Sequence, residues 1–313
     1  MQYLGFDIGG TKSAVVLAED DGSGKLTFLA RKEIPTTLPS VTMEVLFDEA
    51  KKMCQMPTAV GISCGGPLDE RQGLILSPPN LPGWDNIPIV EWSKAHFDVP
   101  TALRNDANAS ARAEWRYGAG RGTQNMIFLT FGTGLGAGLI LDGKLYAGTS
   151  GFAGEVGHIR LEDDGPVGYR KAGSFEGFCS GGGLASLGKT YAERALEKGI
   201  KPSYCQSRND LESVTAKSLA KAAYDGDKTA CEVFELCAEK LGKGLSILID
   251  VLNPECIVLG SVFTRTESLL RSGMQRVIEK EALEGAYKVC RVVPAGLGEQ
   301  IGDYAAIAVA LDA

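Results

Sequence analysis

Several features that would assign the chain to a specialised class are missing from its sequence. No run of Lys or Arg forms a basic cluster, and the net charge of −7 argues against a nucleic-acid-binding surface. None of the eight cysteines stands in a C-x-x-C pair, so we expect buried, reduced thiols and a cytoplasmic protein. The most apolar stretch, 245–263, is interrupted by acidic residues and a proline, so no membrane span is expected. No charged segment followed by an apolar one opens the chain, so no signal peptide is expected.

What remains is the composition of a soluble globular protein. The chain has 313 residues, of which 44% are hydrophobic and 23% charged. This length predicts about two domains with substantial cores. Three glycines within Gly118–Gly122 mark the best boundary, which gives domains 1–118 and 119–298.

The order of apolar segments predicts an α/β fold that is built twice. The first half opens with three strands, a helix and a fourth strand, which indicates a meander followed by a parallel crossover: Tyr3–Phe6, Ser13–Ala18, Leu26–Glu33, Val41–Met53 and Ala59–Ser63. After Gly122 the meander restarts at Met126–Phe131, Ala137–Leu141 and Lys144–Tyr146. Later segments predict helices at Lys228–Leu252, Glu267–Glu281 and Gly302–Leu311, and a strand at Tyr287–Val293.

Two glycine loops repeat one another at the ends of the first strand of each half. Phe6–Lys12 is echoed by Thr130–Gly136, and glycine lets such a loop turn tightly and approach a ligand. Successive N–H groups in these loops favour anions, which predicts that both loops bind the phosphate groups of one ligand. A simple hairpin turn is the alternative for either loop alone.

Individual side chains in the loops have two interpretations each. Asp7 either holds Mg²⁺ through waters beside bound phosphates or forms an Asx turn. Lys12 either binds a phosphate or is solvated. The hydroxyls of Thr11 and Thr133 are candidate hydrogen-bond donors to phosphate oxygens.

Asp106 is the candidate general base. It stands at a predicted helix start, which favours an ionised carboxylate that can accept the proton of a sugar hydroxyl. Its neighbour Asn105 can both donate to and accept from a hydroxyl pair. A purely structural N-cap is the alternative.

The motifs that carry these residues resemble the ROK family (repressors, open reading frames and sugar kinases) of the actin-like ATPase superfamily. The resemblance covers nearly the whole chain and rests on seven segments: Asp7–Lys12, Pro79–Trp84, Asn105–Ala109, Gly118–Gly122, Gly132–Gly138, Gly154–His158 and Asn253–Gly260.

The resemblance implies two actin-like (ribonuclease H-like) domains with a nucleotide and sugar cleft between them, and a C-terminal helix, 299–313, that returns to the first domain. It implies an ATP- and Mg²⁺-dependent kinase of the glucokinase, fructokinase or N-acetylmannosamine kinase type, and a homodimer. The base matches Asp106, and the sugar contacts match Gly66, Asn80, Asn105, Asp106, Glu155, His158 and Glu176. The ATP contacts match Asp7, Gly9, Gly10, Thr11, Lys12, Gly132, Thr133, Gly134 and Gly260.

The chain departs from the family at a zinc site that many members carry. Val167, Tyr169 and Ser174 stand where three cysteines are expected, and none of them replaces a thiolate ligand well. We therefore expect no structural zinc. Apolar packing of Val167, Tyr169 and Phe175 is the hypothesis for what orders the loop 165–173 instead.

Three alternatives remain at this point. Some family members are transcriptional repressors, but those carry a helix-turn-helix ahead of the first strand, which here begins at residue 3. A sugar sensor without catalysis is the second alternative. The third replaces ATP by polyphosphate, which the acidic charge of the chain makes less favourable.

Overall fold

The computed structural model describes residues 1–22 and 24–313, and these fold into alternating strands and helices. The strands are β1 Gln2–Ile8, β2 Lys12–Asp20, β3 Leu26–Pro35, β4 Ala59–Cys64, β5 Leu68–Asp69, β6 Leu74–Ile75, β7 Thr101–Asn105, β8 Met126–Leu129, β9 Ala137–Leu141, β10 Lys144–Tyr146, β11 Val167–Gly168, β12 Lys171–Ala172, β13 Cys256–Leu259 and β14 Arg291–Pro294. The helices are α1 Pro39–Met53, α2 Ile89–Phe97, α3 Asp106–Tyr117, α4 Phe175–Phe178, α5 Gly181–Glu197, α6 Ala216–Tyr224, α7 Lys228–Leu252, α8 Val262–Glu281, α9 Glu284–Tyr287 and α10 Ile301–Ala310.

The chain divides into two compact units. The first contains Met1–Gln124, Gly138–Ala153 and Gly296–Ala313, and the second contains Asn125–Ala137 and Gly154–Ala295. The sequence boundary had assigned all of 119–153 to the second domain, whereas 119–124 and Gly138–Ala153 lie in the first unit. Across the described residues, no helix combines the length and apolar character needed to cross a membrane.

The first sheet has the order β3-β2-β1-β4-β7. Its first three strands form an antiparallel meander, and β4 and β7 continue it in parallel with β1. The predicted meander and parallel crossover are therefore confirmed. The second sheet repeats the plan in the order β10-β9-β8-β13-β14, with β8, β13 and β14 parallel. The predicted restart after Gly122 is confirmed as well.

Helix α10 packs closely on the first sheet because two strands of that sheet carry glycine at the contact. A Cβ added at Gly61 on β4 would overlap the backbone of Ala306 and Ala310, and one at Gly5 would lie 2.8 Å from the Ala306 Cβ. The opposite face of the sheet holds the main core of the unit, which includes Phe6, Phe47 and Trp84. This tight packing explains why α10 is rich in alanine.

The glycine-rich segment after α3 is held by a buried carboxylate. Glu114 is fully buried and accepts N–H groups from Ala119 at 2.7 Å, Gly296 at 3.1 Å and Leu297 at 2.9 Å. A side chain at Gly118 would overlap Glu114, so glycine is required there. Three charge-assisted hydrogen bonds thus join two distant chain segments of the first unit.

One sequence prediction about an element was wrong. The strand expected at Tyr287–Val293 is confined to Arg291–Pro294, because the Tyr287 amide bonds the Leu283 carbonyl at 3.0 Å and closes a helical turn. The helix expected at Glu267–Glu281 is present, and a kink at the non-helical residue Thr266 joins it to a preceding turn that begins at Val262. An apolar residue at every second position is compatible with either structure over such a short span.

Candidate active site

The parallel strands of the first unit end in one row. Ile8, Cys64 and Asn105, the last residues of β1, β4 and β7, are register partners of their neighbours. The residues that follow them, including Gly9, Gly66 and Asp106, therefore emerge at the same edge of the sheet. Ligands of open α/β sheets bind at the carboxyl ends of the strands, so this edge is the expected place for a site.

The first glycine loop is closed by its own backbone and contacts the Pro79–Trp84 segment. The Gly9 amide donates to the Lys12 carbonyl at 3.1 Å. A side chain at Gly10 would overlap the Asn80 carbonyl, so the predicted ATP loop and the predicted sugar residue are adjacent. Thr11 is exposed, and the Lys12 ammonium pairs with Glu33 at 2.6 Å.

Asn105 and Asp106 share the start of α3. Asn105 is the N-cap, and its side-chain oxygen accepts the Ala107 N–H at 3.0 Å. The Asp106 Oδ1 accepts the same N–H at 2.9 Å, and a Cβ at Gly65 would lie 4.0 Å from Asp106 Oδ2. A Cβ at Gly66 would lie 3.4 Å from the side-chain Nδ2 of Asn105, so the structure brings these predicted residues together.

Asp106 is accessible to solvent, yet protein atoms surround its carboxyl group. Desolvation raises its pKa, and this outweighs the lowering by the Ala107 N–H and the Asn105 side chain. The helix start favours the ionised form through the Ala107 N–H, but desolvation of the carboxyl group outweighs this contribution. A carboxylate that is reachable and has a raised pKa is well matched to accepting a proton.

Asp7 is the second perturbed carboxyl group at this edge. Burial, together with the nearby charges of Asp303 and Asp106, raises its pKa to about 6. The Asp303 carboxylate pairs with the Arg31 guanidinium at 3.0 Å, and Asp7 lies near this pair as an additional acidic group. A hydrated divalent cation beside a phosphate fits such a group. No set of three or more metal-ligating side chains occurs in residues 1–22 and 24–313.

The glycine loop of the second unit is supported by Glu176. The Glu176 Oε2 accepts the Leu135 N–H at 3.0 Å, and a Cβ at Gly134 would lie 2.7 Å from the same oxygen. The carbonyls of Gly132 and Thr133 accept N–H groups from the first residues of α5 at 2.7 and 3.1 Å. Three predicted ATP residues and one predicted sugar residue therefore meet in one contact group.

Gly260 follows β13 next to the end of β8. Its amide donates to the Leu129 carbonyl at 3.0 Å, and a Cβ there would lie 3.0 Å from the Phe128 ring. The two strand ends are in register, since Leu259 pairs with Leu129. Gly260 thus lies at the same edge of the sheet as the glycine loop that begins after β8.

Glu155 precedes a short 3₁₀ turn that ends at His158, and both side chains are exposed. The turn is placed by Gly157, where a side chain would overlap the Leu135 carbonyl and approach the Glu176 Cβ to 3.2 Å. The Lys171 ammonium donates to the His158 carbonyl at 2.7 Å. Within the second unit, His158 and Glu176 are therefore carried by neighbouring segments.

The loop between His158 and Glu176 is held by polar contacts, which corrects the hypothesis of apolar packing. Val167 is 63% and Tyr169 71% exposed, and only Phe175 is buried. Ser174 is fully buried, where its hydroxyl caps α4 by accepting the Gly177 N–H at 3.1 Å. The β11–β12 hairpin turns at Tyr169 and Arg170, both with positive φ. The absence of zinc stays a prediction.

Two residues at the site were not found from the sequence. Asp303 lies near Asp7 although it is almost 300 residues away in the chain. Glu70 accepts the Asn105 N–H at 2.9 Å and pairs with the Arg104 guanidinium at 2.7 Å. Both roles arise from tertiary contacts, and no local pattern around Asp303 or Glu70 signals them.

The chain is similar to known proteins over nearly its whole length. The ROK family model matches residues 3–313. A glucokinase of Streptomyces coelicolor is 29% identical over 96% of this chain and 94% of its own length. A xylose repressor of Caldicellulosiruptor bescii is 31% identical over 77% of this chain, which spans 61% of that repressor. The crystal structure of a ROK glucokinase from Streptomyces griseus with glucose and AMPPNP is 28% identical over 100% of both chains, with a TM-score of 0.79.

Proposed function

The chain belongs to the ROK family and has its two-domain actin-like α/β fold, and on this basis we propose that it is an ATP-dependent sugar kinase. In this proposal the γ-phosphoryl group is transferred to the 6-hydroxyl of a hexose or N-acetylhexosamine. The observation that carries it is Asp106, an accessible carboxylate of raised pKa beside Asn105 and Gly66 at the carboxyl ends of parallel strands.

Asp106 acts as the general base in the proposed reaction. As the sugar oxygen attacks the γ-phosphorus, its proton passes to the Asp106 carboxylate. Asn105 orients the sugar by offering both a donor and an acceptor. The Glu155, His158 and Glu176 side chains of the second unit are proposed to contact other sugar hydroxyls.

The two glycine loops are proposed to bind the phosphates of ATP. Loop N–H groups of Gly9–Lys12 and Gly132–Gly134 offer donors to phosphate oxygens, and Gly260 lies by the nucleotide. Mg²⁺ on the ATP would neutralise phosphate charge, and Asp7 is the residue that would meet its water shell. The proposal includes a cytoplasmic, zinc-free homodimer with no nucleic-acid or membrane partner.

A sugar-binding regulator without catalysis is the second candidate. The similarity to a xylose repressor supports it, since that relative belongs to the same family and is 31% identical. A regulator needs the sugar residues but has no use for an aspartate in the position of a base. Catalysis therefore separates the two candidates.

The test is ADP release with ATP and Mg²⁺ over a panel of glucose, fructose, mannose, allose, glucosamine, N-acetylglucosamine and N-acetylmannosamine. We expect turnover with one or two of these sugars. Asp106→Asn should lower kcat by about 10²–10⁴-fold, because the proton acceptor is lost. Its sugar binding, measured as the rise in melting temperature, should remain.

The matched control is Asp225→Asn, which removes an exposed carboxylate paired with Lys221 and should leave turnover unchanged.

Turnover of the wild type should decline as the pH falls through the raised pKa of Asp106, because the protonated acid accepts no proton. Near-normal kcat in Asp106→Asn would contradict the assignment of the base. Sugar-dependent stabilisation without turnover on any sugar would favour the regulator.

A further inference from the structure

Glu70 links a small hairpin to the chain segment that precedes the proposed base. Its Oε1 accepts the Asn105 N–H at 2.9 Å, and its Oε2 accepts from the Arg104 guanidinium at 2.7 Å. The side chain is 15% exposed, so both bonds are largely sheltered from water. One carboxylate thus holds the two residues directly before Asp106.

The carboxylate is presented by a hydrogen-bonded turn. Glu70 lies between β5 and β6, where the Asp69 side chain accepts the N–H groups of Arg71 at 3.0 Å and Gln72 at 2.9 Å. Gly73 closes the turn with a φ of +73°, and a side chain there would overlap Val90 of α2. The position of the Glu70 side chain is therefore set by the fold of the hairpin.

The backbone that Glu70 holds decides where the Asp106 carboxylate points. Asn105 is the N-cap of α3 in extended conformation, and Asp106 is the first helical residue. A displacement of the backbone at Asn105 would carry the Asn105 and Asp106 side chains with it, because Asp106 follows directly in the chain. A shift of about 1 Å in a reacting group costs on the order of 10²-fold in rate.

We propose that Glu70 is a positioning residue for Asp106, acting through the Asn105 N–H. This inference rests on the proposed kinase function. Glu70 itself touches neither the sugar nor the nucleotide in this role. Its effect is to keep the base directed at the sugar hydroxyl before the reaction begins.

The first arm of the test compares Glu70→Ala with Glu70→Gln in the kinase assay. We expect Glu70→Ala to lower kcat about 10- to 100-fold while the KM for sugar changes less than threefold. Glu70→Gln keeps an acceptor for the Asn105 N–H and should recover kcat to within about fivefold of the wild type. Loss of folded enzyme would also lower the apparent kcat at unchanged KM, so both variants are assayed at a temperature where circular dichroism shows them fully folded.

The control is Glu49→Ala, which removes the Lys52 ion pair at 2.7 Å on α1 and should leave kcat unchanged. Amide hydrogen exchange on the ligand-free protein forms the second arm. The Asn105 amide should exchange slowly in the wild type and in Glu70→Gln, and at least tenfold faster in Glu70→Ala. This readout needs no activity and shows that the variants are folded elsewhere.

The outcomes separate the two proposals. Wild-type turnover with unchanged kcat in Glu70→Ala overturns the positioning role and leaves the kinase intact. Equal losses of kcat in Glu70→Ala and Glu70→Gln also overturn it. So does an exchange rate of the Asn105 amide that neither substitution changes. Absence of wild-type turnover with every sugar overturns the kinase, and with it the positioning role, whatever the exchange data show.

Discussion

At the scale of single residues, Asp7 is held in a state that costs stability. Burial and the charges of Asp303 and Asp106 raise its pKa from 3.8 to about 6. A carboxyl group with a raised pKa in the folded protein binds its proton more tightly there than in the unfolded chain. Its contribution to stability therefore falls as the pH rises from about 4 to about 6, and at neutral pH the ionised group opposes folding.

Asp7→Asn should therefore stabilise the ligand-free protein at pH 7.5. The shift from 3.8 to about 6 corresponds to an upper bound of about 3 kcal/mol. Melting temperatures at pH 5 and 7.5 measure the effect, and the gain should be smaller at pH 5. Asp48→Asn, on the exposed face of α1, is the control and should change neither value. A lower melting temperature for Asp7→Asn than for the wild type at pH 7.5 would contradict the prediction.

The same residues show what sequence reasoning supplies at this scale. Asp106 was found because the sequence places a carboxylate at a predicted helix start between the two glycine loops. Its raised pKa was not foreseen, because desolvation depends on atoms from distant segments. Glu70 and Asp303 were missed for the same reason, since each acts through partners far away in the sequence.

At the scale of elements, the long periodic segments were predicted well and the short ones were not. Helix α7 was predicted with its observed bounds, because its apolar residues recur every three or four positions over 25 residues. The β5–β6 and β11–β12 hairpins have only two residues in each strand, too few for an alternating pattern. The strand expected from Tyr287 begins only at Arg291, because Tyr287 ends helix α9 through its amide contact with the Leu283 carbonyl.

The loop between His158 and Glu176 is attached to α7 by an ion cluster. The Glu162 carboxylate accepts from the Lys240 and Lys243 ammonium groups, both at 2.9 Å, and Lys243 also donates to the Leu161 carbonyl at 2.9 Å. Hydrogen bonds from these two lysines lower the pKa of Glu162 to about 2. The stabilisation is therefore present above the ordinary carboxyl range and is lost as the pH falls through about 2.

Glu162→Gln should loosen this loop without touching the base. Because the loop ends at His158 and Glu176, we expect the KM for sugar to rise about three- to tenfold, with little change in the KM for ATP. The loss of stability should be about 1 kcal/mol or less, since Glu162 is 38% exposed and the pairs are screened. Steady-state kinetics and denaturant unfolding measure both quantities.

The control for the ion cluster is Glu212→Gln. Glu212 pairs with Lys189 at 2.7 Å on the exposed surface of the second unit. The substitution therefore removes one ion pair in a different region. Its kinetic constants should equal those of the wild type. Equal KM values for sugar in Glu162→Gln and the wild type would contradict a role of the cluster in sugar binding.

At the scale of the whole molecule, the doubled architecture was readable from the sequence. The echo of Phe6–Lys12 by Thr130–Gly136 corresponds to two sheets of the same strand order. The residues of the second unit were harder to assign: Glu155, His158 and Glu176 are unremarkable singly and were selected through the family resemblance. The structure gives Glu176 a physical role of its own, because it supports the Leu135 amide at the second glycine loop.

Net charge is a property of the whole chain and bears on the phosphoryl donor. With a net charge of −7, the protein repels a long polyanion, and the repulsion is strongest at low ionic strength, where the Debye length is about 30 Å at 0.01 M. ATP with Mg²⁺ carries little charge by comparison and is bound by two short glycine loops. We therefore expect ATP, and not polyphosphate, to support turnover.

The measurement is formation of sugar 6-phosphate with either donor, at low salt and at 0.15 M salt. With polyphosphate we expect less than about 1% of the rate with ATP at low salt, because repulsion keeps the chain of phosphates from the site. Raising the salt screens this repulsion and should raise the rate with polyphosphate, but not to the rate with ATP. A polyphosphate rate comparable to that with ATP at either salt concentration would show that a local cationic surface outweighs the net charge.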